Sequence, residues 1–560
     1  MSLRNCVVLP VILFTLAMLV ACGSTNSATP PPSGAFSNTD FNGTYTFSTV
    51  GQDVGAGGNL STLIMAGSLN ACGCTGGQIS GGNVDLVDNT GGIGVAAIGS
   101  TSTYSISKDG RGFAKLLITP TGGTQFEADV DFVLTSSSHG LITRFDQGGT
   151  GSGTLDVQPA AVAQSAIENT PYAFSLSGSF NGSPLAMAGA FTLDSSGNIS
   201  TSGANAGVAD VNSYPAILAQ TPLTGSLTVG SGTTPGTASL TTAFAAQALT
   251  FDVYAIDATH LKLIESDGVA ILVGDVFAQP SASIPSGNLV FTMAGLDSTG
   301  TLFSAGGFMV SNGSNTISTG SFEDVNDGGL VDNGTNPAVP NSFTGSFGAS
   351  PSGSGRFVVT LTGFFGGSMF AAYPSSGGIQ MLEIDTGANI GGGNAGITGG
   401  VALLQTPGAT VAASQGYGLN NTGEDVSNGW ELDEIAEFQT ATSGGGVTGL
   451  IDFNDGAFTG AGSLGTGSVN GTYMVNSDGT GSATLSTDLQ EVFFYAVDNS
   501  TALFISVDPT QAALGSFQIQ TTPGSDQAAV MQPHALPMLR VIPHSRSAKP
   551  RNKGLIAPAR

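Results

Sequence analysis

The chain repeats itself four times, and no other feature limits its fold as strongly. Each repeat opens on a short apolar alternation: Tyr45-Thr46-Phe47, Tyr172-Ala173-Phe174, Val290-Phe291-Thr292 and Tyr417-Gly418-Leu419. Each closes on an apolar run ending in glutamine, at Gln158, Gln279, Gln405 and Gln520. Landmarks recur in order between these ends. The first is an Asp/Asn turn, at Asp210-Val211-Asn212, Asp324-Val325-Asn326 and Asp452-Phe453-Asn454. The second is a glycine hairpin, Lys108-Asp109-Gly110-Arg111-Gly112, which recurs as Ser477-Asp478-Gly479-Thr480-Gly481. The third is a late hairpin ending in Asp146, Asp267, Asp385 or Asp508.

Inside a repeat the pattern is β. Phe126, Ala128, Val130 and Phe132 alternate with Glu127, Asp129 and Asp131, so apolar side chains take one face and acids the other. Asp109-Gly110 between two alternating runs signals a hairpin. No helical period is sustained beyond the first 21 residues. The second repeat alone holds eight candidate strands with short connections, which favour antiparallel neighbours. The fold class is therefore all-β, as four tandem antiparallel modules. Each is expected to be an eight-stranded up-and-down barrel with its opening and closing strands paired; a two-sheet β-sandwich is the alternative. The modules are placed at 36–160, 168–280, 287–406 and 414–522. Pro280 to Gly287 and Thr406 to Ala409 are poor strand formers and serve as linkers. A repeat this long buries its own core, so the modules are expected to string out like beads.

The amino-terminal residues carry an address. Arg4 precedes an apolar run from Val7 to Val20, roughly 14 residues against the ~20 of a membrane-spanning helix. The run ends in Leu19-Val20-Ala21-Cys22, followed by Gly23. This resembles the lipobox of bacterial lipoproteins. The resemblance implies a signal peptide at 1–21, lipid (including palmitate) on Cys22, and anchoring to a membrane; Gly23 favours the outer membrane. Residues 22–35, rich in Pro and Ser, read as a tether. Together with their Gly-Ser-Phe and Asp-x-Asn signatures, the repeats resemble tandem-repeat surface lipoproteins of soil bacteria, a likeness that brings no activity and no catalytic residue.

Charge narrows the partners. The net charge is −26, yet only 9% of residues are charged. Residues 523–560 hold a basic tail with Arg540, Arg546, Lys549, Arg551, Lys553 and Arg560, and read as disordered; the remaining body is strongly acidic. An acidic body repels phosphate backbones, which excludes nucleic acid as a partner. An extracellular polymer or a surface protein fits better, and the sequence is silent on oligomeric state.

Little chemistry is on offer. Cys72 and Cys74 are expected to form a local disulfide or to idle as thiols. His139 and His260 fall seven residues before the late aspartate, where the other repeats carry Gly378 and Thr501, so a hairpin loop is expected rather than a general base. Glu424, Asp425, Glu431, Asp433, Glu434 and Glu437 crowd within fourteen residues near Trp430, the one tryptophan. Asp324, Asn326 and Asp327, with Asp452, Asn454 and Asp455, offer oxygen ligands that calcium would accept, although turns demand the same residues. No other cofactor is indicated. The leading reading is a structural, adhesive or binding lipoprotein. The alternatives are a carrier of small apolar ligands inside the barrels and, last, a carboxylate-dependent hydrolase.

Overall fold

The computed structural model describes residues 36–521, apart from 55–58, 89–91, 93, 215, 333–339, 351–353, 366, 387–395 and 488. The leader, Cys22, the tether and the basic tail lie outside the described residues. The rest is all-β, in four antiparallel sheets of eight or nine strands, one per repeat. Their first and last strands in sequence are Asn42–Val54 and Ser152–Gln158, Pro171–Phe180 and Ile271–Ala278, Ser286–Leu296 and Ile397–Leu404, and Gly416–Asp425 and Gln511–Ile519. In every repeat the opening strand pairs with the closing one. Phe47 lies opposite Leu155, Phe174 opposite Val276, Phe291 opposite Ala402 and Leu419 opposite Phe517.

That pairing joins the edges a sandwich would leave apart. The fourth sheet is a closed eight-stranded barrel, and the third closes where Leu302–Asn312 meets Thr316–Asp327. The first closes over two residue pairs between Ala96–Ile98 and Arg111–Thr119. The second is interrupted between Ala216–Pro222 and Thr224–Leu227. Alternation fills each barrel with its own apolar core, such as Phe47, Leu116, Val130 and Phe132 in barrel 1. Glycine lets a ring lie flat across the neighbouring strand. A Cβ on Gly112 would stand 2.2 Å from the Phe132 ring, and one on Gly481 2.2 Å from Phe494. The glycine hairpin of the sequence thus fixes register and a core aromatic together.

The barrels do not string out like beads. They pack in a closed cycle, 1 on 2, 2 on 3, 3 on 4 and 4 back on 1. Outward-facing positions that alternation would give to solvent carry apolar side chains at each seam. Ile64 and Val87 meet Tyr254 and Val273; Ala173 and Ala188 meet Tyr373 and Leu382; Val290 and Phe308 meet Tyr495 and Leu503; Val133 and Leu141 meet Ile435. The closing glutamines fasten the cycle. The side-chain amide of Gln158 donates to Ala255 O at 2.6 Å, Gln279 to Pro374 O at 2.9 Å and Gln405 to Ala496 O at 2.9 Å. Gln520 completes the turn, donating to Leu134 O at 3.0 Å and Asp109 O at 2.7 Å in barrel 1.

Candidate functional site

The Asp-x-Asn segments are not turns. They lie within strands Val208–Ser213, Thr316–Asp327 and Gly446–Asp455. A period of two points Asp and Asn the same way, outward, and outward here means into the next barrel. Each asparagine amide caps loop carbonyls across the seam. Asn212 donates to Glu383 O and Gly396 O; Asn326 to Ser506, Asp508 and Gln511 O; Asn454 to Asp146 O and Gly149 O, all within 3.2 Å. In repeat 1 the asparagine is replaced by Val87, which packs on Ile264 and Ile271.

The aspartates meet different partners around the ring. Asp85 accepts a hydrogen bond from Tyr254 Oη at 2.5 Å, and Asp324 one from Tyr495 Oη at 2.5 Å. Asp210 receives both Tyr373 and the fork of Arg356, whose Nε and Nη2 donate at 2.6 and 2.7 Å. Asp452 receives Arg111 Nη1 at 2.8 Å, and Asp109 holds the same arginine through Nε at 3.1 Å. The arginines and tyrosines are the functional residues that sequence reading missed. Tyr254, Tyr373 and Tyr495 recur at one strand position, the signal that could have found the tyrosines.

The candidate calcium ligands fall on two strands, Thr316–Asp327 and Gly446–Asp455. Asp327 lies opposite Leu330 in a hairpin, and Asp455 accepts the Trp430 indole N–H at 2.6 Å. The two sets stay on separate seams, and among the described residues no group of three or more His, Cys, Asp or Glu could hold a metal ion. Cys72 and Cys74 are disulfide-bonded, with Cα atoms 5.1 Å apart. His139 and His260 begin strands rather than sitting in loops. Both are buried: His139 Nδ1 lies 2.6 Å from Asp156, and His260 Nε2 2.7 Å from Asp275, which Lys262 also contacts.

The acidic crowd is not a solvated face. Strand Trp430–Thr440 turns Glu431, Asp433 and Glu437 toward barrel 1, and all are buried. Asp433 accepts Thr150 Oγ1 and Thr422 Oγ1, each at 2.6 Å. Burial pushes Asp433 up to about 7 and Glu437 up to about 8; Asp131, facing Asp452 across the same seam, rises to about 8. Burial also raises Asp85, at the seam of barrels 1 and 2, to about 7, and Glu265 and Glu383, which hold loops of their own barrels, to about 8 each. These groups are held as neutral acids at mildly acidic pH.

Two spaces remain. One is an apolar cavity of about 40 Å³ inside barrel 4, lined by Leu419, Phe438, Phe494, Phe504 and Phe517 among others. Its volume is a small fraction of the ~300–1,000 Å³ of ordinary ligand pockets. The other is a cleft of about 340 Å³ between barrels 3 and 4, lined by Phe322, Asp324, Asp478, Thr480, Phe493 and Tyr495 among others.

No family model matches the chain, and no curated protein does. Among solved structures, it is similar to transferrin binding protein B of isotype 1 from serogroup B Neisseria meningitidis. The identity is 10% over 68% of this chain and 84% of that one, with a TM-score of 0.17. A double mutant of the Haemophilus parasuis Hp5 transferrin binding protein B gives 9% identity over 70% and 82%, with a TM-score of 0.16. Scores this low bear on neither fold nor function.

Proposed function

We propose that this chain is a lipid-anchored surface lipoprotein whose ring of barrels is a rigid scaffold for binding or adhesion. The observation that carries the reading is the joint filling of barrels and locking of seams. The cavity inside barrel 4, at about 40 Å³, is far smaller than the ~300–1,000 Å³ a carried small molecule occupies. Acids such as Asp433 and Glu437 are buried in a seam, while Asp324, buried and held by Tyr495, and Asp478 line the cleft between barrels 3 and 4. What remains for contact is the outer surface, held on a stiff frame by the inter-barrel hydrogen bonds. An acidic, hydroxyl-rich exterior suits an extracellular polymer or another surface protein better than nucleic acid.

Anchoring is the part most directly tested. In a Gram-negative host, the full chain should incorporate labelled palmitate and sediment with outer membranes. Cys22→Ser should lose both. Unchanged labelling and membrane retention in the variant would refute the lipoprotein reading.

A further inference from the structure

The four seams are built on one plan, and two of them lack its arginine. In barrel 1, Arg111 sits between Asp109 of its own hairpin and Asp452 of barrel 4. In barrel 3, Arg356 occupies the matching strand position and grips Asp210 of barrel 2. In barrel 4 that position is Thr480, as the pairing of Gly481 with Phe494 and of Gly112 with Phe132 shows. Both carboxylates that would hold the arginine are still there. Asp478 matches Asp109 in the hairpin, and Asp324 matches Asp452 across the seam.

Asp324 is 3% exposed, and among the described residues no Lys or Arg pairs with it. Its Oδ2 takes the Tyr495 hydroxyl, while its buried Oδ1 has no hydrogen-bond partner. Desolvation, together with Asp332 nearby, raises it to about 7, the response of a carboxylate left without a cation. The same carboxylate lines the 340 Å³ cleft, with Asp478 and the aromatic residues Phe322, Phe493 and Tyr495 also on its wall. At the seam of barrels 1 and 2, where Pro235 stands at the arginine position, the gap is met differently. There a second carboxylate, Asp252, faces Asp85, and the residue matching Asp252 in barrel 4 is Phe493.

We propose that the cleft between barrels 3 and 4 binds a guanidinium group from outside the chain, seated between Asp324 and Asp478 where Arg111 and Arg356 sit in their own barrels. A planar guanidinium suits it better than an ammonium, since its fork bonds a carboxylate edge-on while its face stacks on aromatic rings. The group could belong to free arginine or to an arginyl side chain of a polypeptide.

The test is calorimetric titration of the full-length chain, purified in detergent, with ethylguanidinium at millimolar concentration. Free L-arginine and a blocked arginyl tripeptide distinguish the two sources, and butylammonium is the control. Saturable binding is expected for ethylguanidinium and weaker binding for butylammonium. Asp324→Asn should weaken binding by about ten- to a hundredfold, the worth of a charge-assisted hydrogen bond. Thr480→Arg should abolish binding and raise Tm, because it ties the missing group to the chain. No saturable binding by the wild type would overturn the proposal. So would wild-type affinity in either folded variant.

Discussion

Asp210→Ala should destabilise the ring by about 3–5 kcal/mol, the largest effect expected of any single substitution in the seams. The side chains of Asp210 and Arg356 are 0% and 2% exposed, so the substitution strands a buried guanidinium that cannot shed its charge. It also deprives Tyr373 and the Gln220 amide of their acceptor. Arg356→Met should cost less. Asp210 would keep the Tyr373 hydroxyl and the Gln220 backbone N–H as donors, and no buried cation would be stranded. The check is urea unfolding of both variants with tyrosine fluorescence reporting. A loss under about 1 kcal/mol for Asp210→Ala would mean that water reaches the seam.

How much of this was legible in the sequence divides along a physical line. Strand alternation and turn chemistry are local, and they gave the all-β class, the four repeats and the pairing of opening with closing strands. What a strand's outer face touches is not local. Glu431, Asp433 and Glu437 have the pattern of a solvated acidic face and are buried only because barrel 1 covers them. Asp-x-Asn is good turn chemistry, and nothing nearby in sequence says that Asn326 reaches carbonyls 180 or more residues away. The closing glutamines were visible as landmarks. Their role was hidden because each partner lies in the following repeat, and for Gln520 in the first.

The second large effect is on pH. Asp131, Glu265, Glu383, Asp433 and Glu437 all stand at about 7 to 8 in the folded ring because burial penalises their charged forms. Unfolded, such groups titrate near ~4. The folded chain therefore binds protons more tightly. The stability this contributes is complete below about pH 4 and is lost as pH rises through 7 to 8. Asp433 alone, moved from 3.8 to about 7, is worth on the order of 4 kcal/mol across that window. Tm should therefore be higher at pH 5 than at pH 8.5, with the midpoint of the fall between pH 6 and 8. Asp433→Asn and Glu437→Gln should flatten the curve while leaving the fold intact. A Tm that climbs from pH 5 to 8.5 would contradict the buried, neutral state of these acids.

The meeting of Gln520 with Asp109, beside Phe36, bears on what a protease could do to this protein. A cut in the linker at 280–285 or at 406–409 severs the chain but none of the seams. Every barrel keeps two neighbours, so the barrels after the cut stay docked on barrel 1 without a peptide bond to it. Release of a barrel would require two seams to open at once. A nicked molecule on a cell surface would thus keep all four barrels in place and reveal the damage only under denaturing conditions.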